Sequence, residues 1–302
     1  MQIYNYQAGA GDCLRLRFSG HNVLIDTGVT RFGPRFASIC QKMQAAGEKI
    51  DALLLTHADA DHIGGLLYCL RNQIRLPVRE VWMNHRRWSV GNTDLSVRQN
   101  DEVYSRLRAC QIPVLPVTAG MEHKIGEAIF RMLAPDAAAM TLPEPEYRSI
   151  PLRVRFDYDY PMEILMEKPI IRKDTSPSNR ASVVMEVLFA GRKILFTGDA
   201  WPEDVRKVAQ DIYDLIKLPH HGSAGNLSES WQQIRCNQFI LCTDGKNHPD
   251  KQTIAKLLKW NPQARFYGSL PWWKQMLCEQ EKIYEEHFVE GEEIQWLMAE
   301  RI

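Results

Sequence analysis

The apolar positions of this chain fall into short runs that stop at polar clusters. Leu14-Arg15-Leu16-Arg17-Phe18 alternates with the period of a half-buried strand. Met1–Tyr6 and Val23-Leu24-Ile25 flank it, and Ser19-Gly20-His21-Asn22 makes a hairpin turn, so the chain opens antiparallel. Phe36–Ala46 has helical periodicity and stops at Gly47. Ala52-Leu53-Leu54-Leu55 reads as a buried strand; a small-residue turn then leads to a helix over 66–76. Further strands are predicted at 78–83, 114–117, 128–133, 181–189, 193–196, 214–218, 238–242, 265–267 and 293–297. Helices are predicted at 94–110, with Leu95, Val103, Leu107 and Cys110 as its apolar stripe, and at 202–208, 227–234 and 252–260. Residues 120–126 read as a turn. Residues 136–180, rich in proline and charge, read as a loop-rich insertion with short strands such as Leu152–Phe156.

Antiparallel and parallel features mix, with helices to cover the outer faces. The fold class expected is therefore α/β, a layered sandwich of two mixed sheets flanked by helices, not a doubly wound parallel sheet. We expect one domain over residues 1–302 that carries the insertion.

The strand ends collect polar residues at one rim. After Leu55 comes Thr56-His57-Ala58-Asp59-Ala60-Asp61-His62, which puts two imidazoles and two carboxylates within six residues. Asp26 ends another strand, and Asp199 follows Thr197-Gly198. His220, His221 and His248 stand beside Gly, Pro or Asp. Such a set suits hard or borderline divalent cations: zinc accepts His with Asp, while manganese and magnesium favour the carboxylates. A pair of ions would activate water without a protein nucleophile. No serine nucleophile elbow, phosphate-binding loop or dinucleotide glycine fingerprint is present.

Composition narrows the classes. Of 302 residues, 45% are hydrophobic and 25% charged, enough for a large core. The formal net charge is zero, which removes the general electrostatic case for a nucleic-acid binder and leaves room only for a local basic groove. Seven cysteines without a C-x-x-C pair fit reduced thiols. No signal-peptide core or run of eighteen apolar residues occurs, so a cytoplasmic chain with no membrane association is expected.

The ordered motifs resemble a known family. The H-x-D-x-D-H run, Asp26 in Leu-Ile-Asp-Thr-Gly and Asp199 in Thr-Gly-Asp are similar to the metallo-β-lactamase fold superfamily. More narrowly, they resemble the soluble hydrolase domain of the ComEC family of DNA-uptake proteins. Asp59 stands where the superfamily usually has its second histidine, as in that branch. Ala8-Gly9-Ala10-Gly11-Asp12, Asn179-Arg180-Ala181-Ser182-Val183-Val184, Lys217-Leu218-Pro219-His220-His221-Gly222-Ser223 and Asn247-His248-Pro249 resemble its further elements, in order.

The resemblance implies an αββα sandwich holding two divalent ions, zinc or manganese, with magnesium a further option. His57 and Asp59 would hold one ion, Asp61 and His62 the second, and Asp199 would bridge. One of His220 and His221 would complete the second site; the other would face a phosphate or leaving group. Asp61 would also hold the attacking water, His248 would contact substrate, and Asp26, Asn179 and Ser182 would support the centre. The superfamily's third-motif histidine has no counterpart, since only His85 and His123 lie in that interval. A nitrogen-poor first site is therefore expected, weak or selective for manganese or magnesium.

The function implied is a metal-dependent hydrolase acting on a phosphodiester, most simply a nuclease with a nucleic-acid substrate. Two alternatives stand beside it. One is hydrolysis of a small phosphodiester, phosphonate, ester or lactone, favoured by zero net charge. The other is a partner-binding subunit of a multi-protein system, for instance in defence, with an auxiliary metal site and a protein partner on the 136–180 insertion. Arg86 and Arg87 beside Trp82 and Trp88 are candidates for phosphate binding and base stacking, or a plain surface loop. Trp260, Trp272 and Trp273 read as core.

Overall fold

In the computed structural model, residues 1–85, 95–140 and 157–294 are described. Arg86, Arg87 and Trp88, the strand expected at 152–156 and the end of the strand expected at 293–297 lie outside them.

The chain forms two sheets. The first contains β1 (Gln2–Asn5), β2 (Leu14–Phe18), β3 (His21–Ile25), β4 (Ala52–Leu54), β5 (Val81–Trp82), β6 (Val114–Leu115) and β15 (Glu293–Ile294), in the order β15-β1-β2-β3-β4-β5-β6. The second contains β7 (Glu122–Ile125), β8 (Ala128–Ala134), β9 (Val184–Phe189), β10 (Arg192–Phe196), β11 (Leu215–Lys217), β12 (Gln238–Leu241), β13 (Arg265–Gly268) and β14 (Phe288–Glu290), in the order β14-β13-β12-β11-β10-β9-β8-β7. Each sheet is antiparallel on one side and parallel on the other: β3 to β6 and β10 to β14 run parallel.

Helices α1 (Gly33–Ala45), α2 (Ala60–Arg71) and α3 (Leu95–Ala109) cover the first sheet, while α4 (Ala137–Met140), α5 (Met162–Glu167), α6 (Pro177–Arg180), α7 (Pro202–Val208), α8 (Lys251–Trp260) and α9 (Trp273–Met276) belong to the second half. Three apolar layers result. Leu16, Val23, Leu54, Phe130, Met185 and Phe196 pack between the sheets. Phe36, Leu66, Leu67 and Val103 fill the layer under α1–α3. Leu195, Val205, Ile216, Trp231, Ile254 and Trp272 fill the layer under α7 and α8. Burying each such side chain is worth about 1.5–3 kcal/mol relative to exposure. The αββα sandwich of two mixed sheets is the architecture expected from the sequence.

Several local expectations change. Helix α2 begins at Ala60, not Leu66, so Asp61 and His62 occupy its first turn. Gly64 and Gly65 are helical because neighbouring backbone lies against them: a Cβ on Gly65 would sit 2.2 Å from the carbonyl oxygen of Thr27. Residues 122–125 form strand β7, a polar edge paired antiparallel with β8. The helix expected at 227–234 is a 3₁₀ turn over Glu229–Gln233. Val103 and Leu107 are buried under α3, whereas Cys110 lies past its end and is exposed.

Among its described residues the 136–180 stretch has no strand and is firmly docked. Met162 and Leu165 are buried in the layer under α8, and the Met162 amide donates to Glu281 at 2.7 Å. All seven cysteines are free. No helix among the described residues is long and apolar enough to cross a membrane.

Candidate metal centre

Five strands deliver the site from their C-terminal ends. Asp26 follows β3, His57 follows β4, Asp199 follows β10, His220 and His221 follow β11, and His248 lies in the loop after β12. The first sheet's contribution is fixed by Asp26, which is fully buried. Its carboxylate accepts from the Thr56 amide at 2.8 Å, the Thr56 hydroxyl at 2.7 Å and His62 Nδ1 at 2.8 Å. The Thr56 hydroxyl thereby offers its lone pairs to His57 Nδ1, 3.1 Å away.

The second sheet's contribution depends on an unusual backbone. His220 (φ 47°) and His221 (φ 56°) are both left-handed. Two such residues in a row splay their rings, whose planes meet at 71°. His221 Nδ1 donates to the Cys242 carbonyl at 2.8 Å and lies 3.0 Å from Asp12 Oδ1. His220 Nδ1 donates to Asn226 Oδ1 at 2.9 Å; Asn226 Nδ2 donates to Asp174 Oδ2 at 2.8 Å.

All four rings are thus anchored through Nδ1, so that each turns its Nε2 toward the centre. The Nε2 atoms of His57, His62 and His221 are buried without a hydrogen-bond partner. They lie 3.9, 3.4 and 3.7 Å from one atom, Asp199 Oδ2, and His220 Nε2 lies 3.8 Å from it. Unpaired buried nitrogens converging on a carboxylate are costly as they stand, and a divalent cation relieves them. The donor set fits such ions.

Two donor groups emerge around Asp199. His57 Nε2 is 3.5 Å from Asp59 Oδ2 on one side. His57 also groups with His62 and Asp199, and Asp61, His62 and His221 form a second group that shares His62, with His221 Nε2 3.4 Å from Asp61 Oδ2. Asp59 is fixed by the Ser178 hydroxyl, which donates to its other oxygen at 2.8 Å. Ser182 accepts the Asp199 amide at 3.2 Å, and Asn179 Nδ2 donates to Asp174 at 2.7 Å and approaches His220.

The charges are strongly coupled. Burial opposes protonation of His221, yet Asp199 and Asp12 raise its pKa to about 10. Burial likewise opposes ionisation of Asp199, but His62, His221 and His220 hold its carboxyl well below the usual range. The pocket therefore draws positive charge. His248 differs: burial, then His220, His221 and Arg172, pushes its pKa down to about 3, so the ring is neutral. It stands 5.1 Å from the His220 ring, with an unpartnered buried Nδ1.

Every residue assigned to the metal centre from the sequence lies in or beside it, whereas Trp82, a candidate for base stacking, is fully buried between the two sheets. His85 and His123 do not join the centre: His85 bonds Asp101 and His123 stacks on Trp82. Trp272 and Trp273 are buried and Trp260 packs partly buried against the same core. Sequence reading gave no role to Asp12, Asp174, Ser178, Lys217 and Asn226. Lys217 carried a signal, since a lysine within Leu215-Ile216-Lys217-Leu218 on a buried strand needs a counter-charge.

A family model described as the metallo-beta-lactamase superfamily matches residues 6–91. ComE operon protein 3 of Bacillus subtilis (strain 168) is 25% identical over 219 residues, which are 70% of this chain. The chain spans only 22% of that relative's length. Among solved structures, the metallo-beta-lactamase fold protein YhfI of Bacillus subtilis is 11% identical, with a TM-score of 0.49 over 88% of this chain and 95% of that one. Zn(2+)-bound PqqB of Methylobacterium extorquens is 10% identical, with a TM-score of 0.48 over 86% and 96%. The chain is an αββα sandwich of two mixed sheets that resembles the metallo-beta-lactamase superfamily over residues 6–91 and ComE operon protein 3 over 219 residues.

Proposed function

We propose that the protein is a metal-dependent phosphodiester hydrolase with nucleic acid as its substrate. The observation that carries the metal reading is the convergence of three unpartnered imidazole nitrogens on Asp199 Oδ2. The phosphodiester reading is supported by the likeness to the ComEC branch and by the neutral His248 beside the donors. In this assignment the first position takes His57, Asp59, Asp199 and His220. The second takes Asp61, His62, Asp199 and His221. Each then has two nitrogens and two carboxylates, which replaces the nitrogen-poor first site expected from the missing histidine. Zinc and manganese both suit such a set.

The chemistry such ions would supply, held by these residues, is a coordinated water with its pKa lowered toward about 7 and stabilisation of charge on the phosphate oxygens. The chain's own groups do the rest. Asp61, in the first turn of α2, would hold the attacking water and accept its proton as the water oxygen bonds phosphorus and the bond to the leaving oxygen breaks; that proton then passes to the leaving oxygen. His248, neutral and at the edge of the cluster, hydrogen-bonds a non-bridging oxygen. Asp26 and Thr56 keep His62 and His57 in the tautomer that presents Nε2.

The test incubates the purified protein with plasmid, single-stranded DNA, RNA and bis-p-nitrophenyl phosphate, in manganese, magnesium or zinc. We expect polymer cleavage that disappears in Asp61→Ala. Cleavage of the small ester without any polymer would instead support the small-substrate alternative.

A second reading is a partner-binding role for the 136–180 insertion. Tyr160, Ile164 and Ile171 on it are 49%, 56% and 78% exposed, large apolar side chains left in solvent on a docked segment. A stable co-purifying partner lost on Ile164→Glu, with no hydrolysis in any metal, would favour this reading over the first.

A further inference from the structure

A buried ion pair lies beneath the centre. Lys217 is 1% exposed, and its ammonium contacts Asp12 Oδ2, donates to the Gly198 carbonyl at 3.0 Å and lies 3.7 Å from Asp199 Oδ1. Burial works against this charge, but Asp12 and Asp199 outweigh it and hold the lysine above its ordinary pKa. Asp12, also 1% exposed, is pressed the other way: burial opposes its charge, and Lys217 and His221 bring it to about 2.

The backbone of Asp12 is fixed to the first sheet's half. Its carbonyl accepts the Gly28 amide at 2.7 Å. The preceding Gly11 lies so close to α2 that a Cβ would stand 1.8 Å from the Asp61 carbonyl oxygen. The carboxylate of Asp12 nevertheless reaches into the other half: its Oδ1 stands 3.0 Å from His221 Nδ1, whose N–H goes to the Cys242 carbonyl, and its Oδ2 meets Lys217. The second metal position draws Asp61 and His62 from one half and His221 and Asp199 from the other. Asp12 touches both halves at that seam.

We propose that Asp12 and Lys217 are positioning residues for the second metal position: Asp12 stands against the Nδ1 side of His221 and Lys217 holds Asp12 there, so that donors from the two halves converge on one ion. This rests on the two-ion reading above. A carboxylate behind a ligating imidazole also makes it a stronger donor, and losing one typically weakens metal binding 10–100-fold. A merely structural ion pair behaves differently, because neutral groups of similar volume replace it without functional loss.

The pair variant Asp12→Asn/Lys217→Met removes both charges and leaves neither stranded. Manganese and zinc titrations would be followed by calorimetry, with unfolding measured in chelator and His221→Ala titrated alongside to mark the loss of the second position. We expect metal-free unfolding close to wild type, one ion bound as in wild type, and the other weakened 10–100-fold. Asp12→Asn alone strands Lys217 and should lower metal-free stability, but it carries the same expectation for the two ions and serves if the double variant does not fold. Two ions held with unchanged affinity would overturn the proposal, as would equal weakening of both. Wild-type protein that binds no ion would show that the metal reading itself is wrong.

Discussion

His62 Nδ1 lies 2.8 Å from Asp26 Oδ2, both side chains fully buried, one in the first turn of α2 and the other at the end of β3. The bond joins a helix to a strand and sets the ring before any cation arrives. Asp26→Ala strands the Thr56 amide and unties the imidazole. We expect a loss of about 3 kcal/mol in urea unfolding measured in chelator. Calorimetry should show metal affinity falling about 10–100-fold. Unchanged affinity would show that His62 needs no support.

Gly65 reverses a usual rule. Alanine inside a helix is normally favoured over glycine by about 1 kcal/mol. Here the new methyl would meet the Thr27 carbonyl oxygen at 2.2 Å, so α2 must move off the β3 loop. Gly65→Ala should lower stability by about 1–3 kcal/mol in thermal or urea unfolding. It should also weaken metal binding, because α2 carries Asp61 and His62.

The paired histidines give a separable outcome. His220→Ala and His221→Ala should each remove one ion, and a different one. Metal content after dialysis would read one equivalent for each single variant and none retained tightly for the double. A double variant that keeps one ion would mean that both rings serve a single position.

Glu281 offers a pH test away from the centre. It is 3% exposed and accepts from Lys251 Nζ and the Met162 amide at 2.7 Å each, and from the Cys278 amide at 3.0 Å. Burial raises its pKa, but Lys251 and the two amides outweigh this and hold it below the ordinary value. A carboxylate depressed in the fold stabilises above its unfolded value of about 4.3, and that contribution is lost as pH falls through the folded value. Glu281→Gln leaves Lys251 uncompensated and should cost about 3 kcal/mol at pH 7. The gap to wild type should narrow below about pH 4.3, as read by urea midpoints across pH.

The sandwich and the rim of the site were legible because both depend on local pattern. Apolar runs of strand length end in His and Asp, and the rim follows from where they end. The start of α2 was not legible, since Ala58-Asp59-Ala60-Asp61 has the composition of a loop; the helix extends there because Asp61 suits a helix N-terminus and the glycines let the turn approach the β3 loop. Strand β7 was hidden by its polar sequence at a sheet edge. The anchors of the imidazoles were out of reach for another reason. Asp12, Asp174 and Ser178 act through contacts across 52 to 209 positions, as Ser178 with Asp59, Asp174 with Asn226 and Asp12 with His221 do, and no short window records such a pairing. The separation of His220 from His221 required the left-handed backbone, which a motif does not show.

Strand β15 has a consequence for how the molecule is made. β1, near the start of the chain, lies between β2 and β15, and Tyr4 pairs with Glu293. During synthesis the first half emerges with one side of β1 bare, and that open edge persists while almost three hundred residues are added. His57 and His62 likewise leave the ribosome long before Asp199 and His221 exist. The first sheet cannot close before Glu293 emerges, nor the donor cluster before His221, which makes the nascent chain, more than the folded one, the form most exposed to wrong pairing.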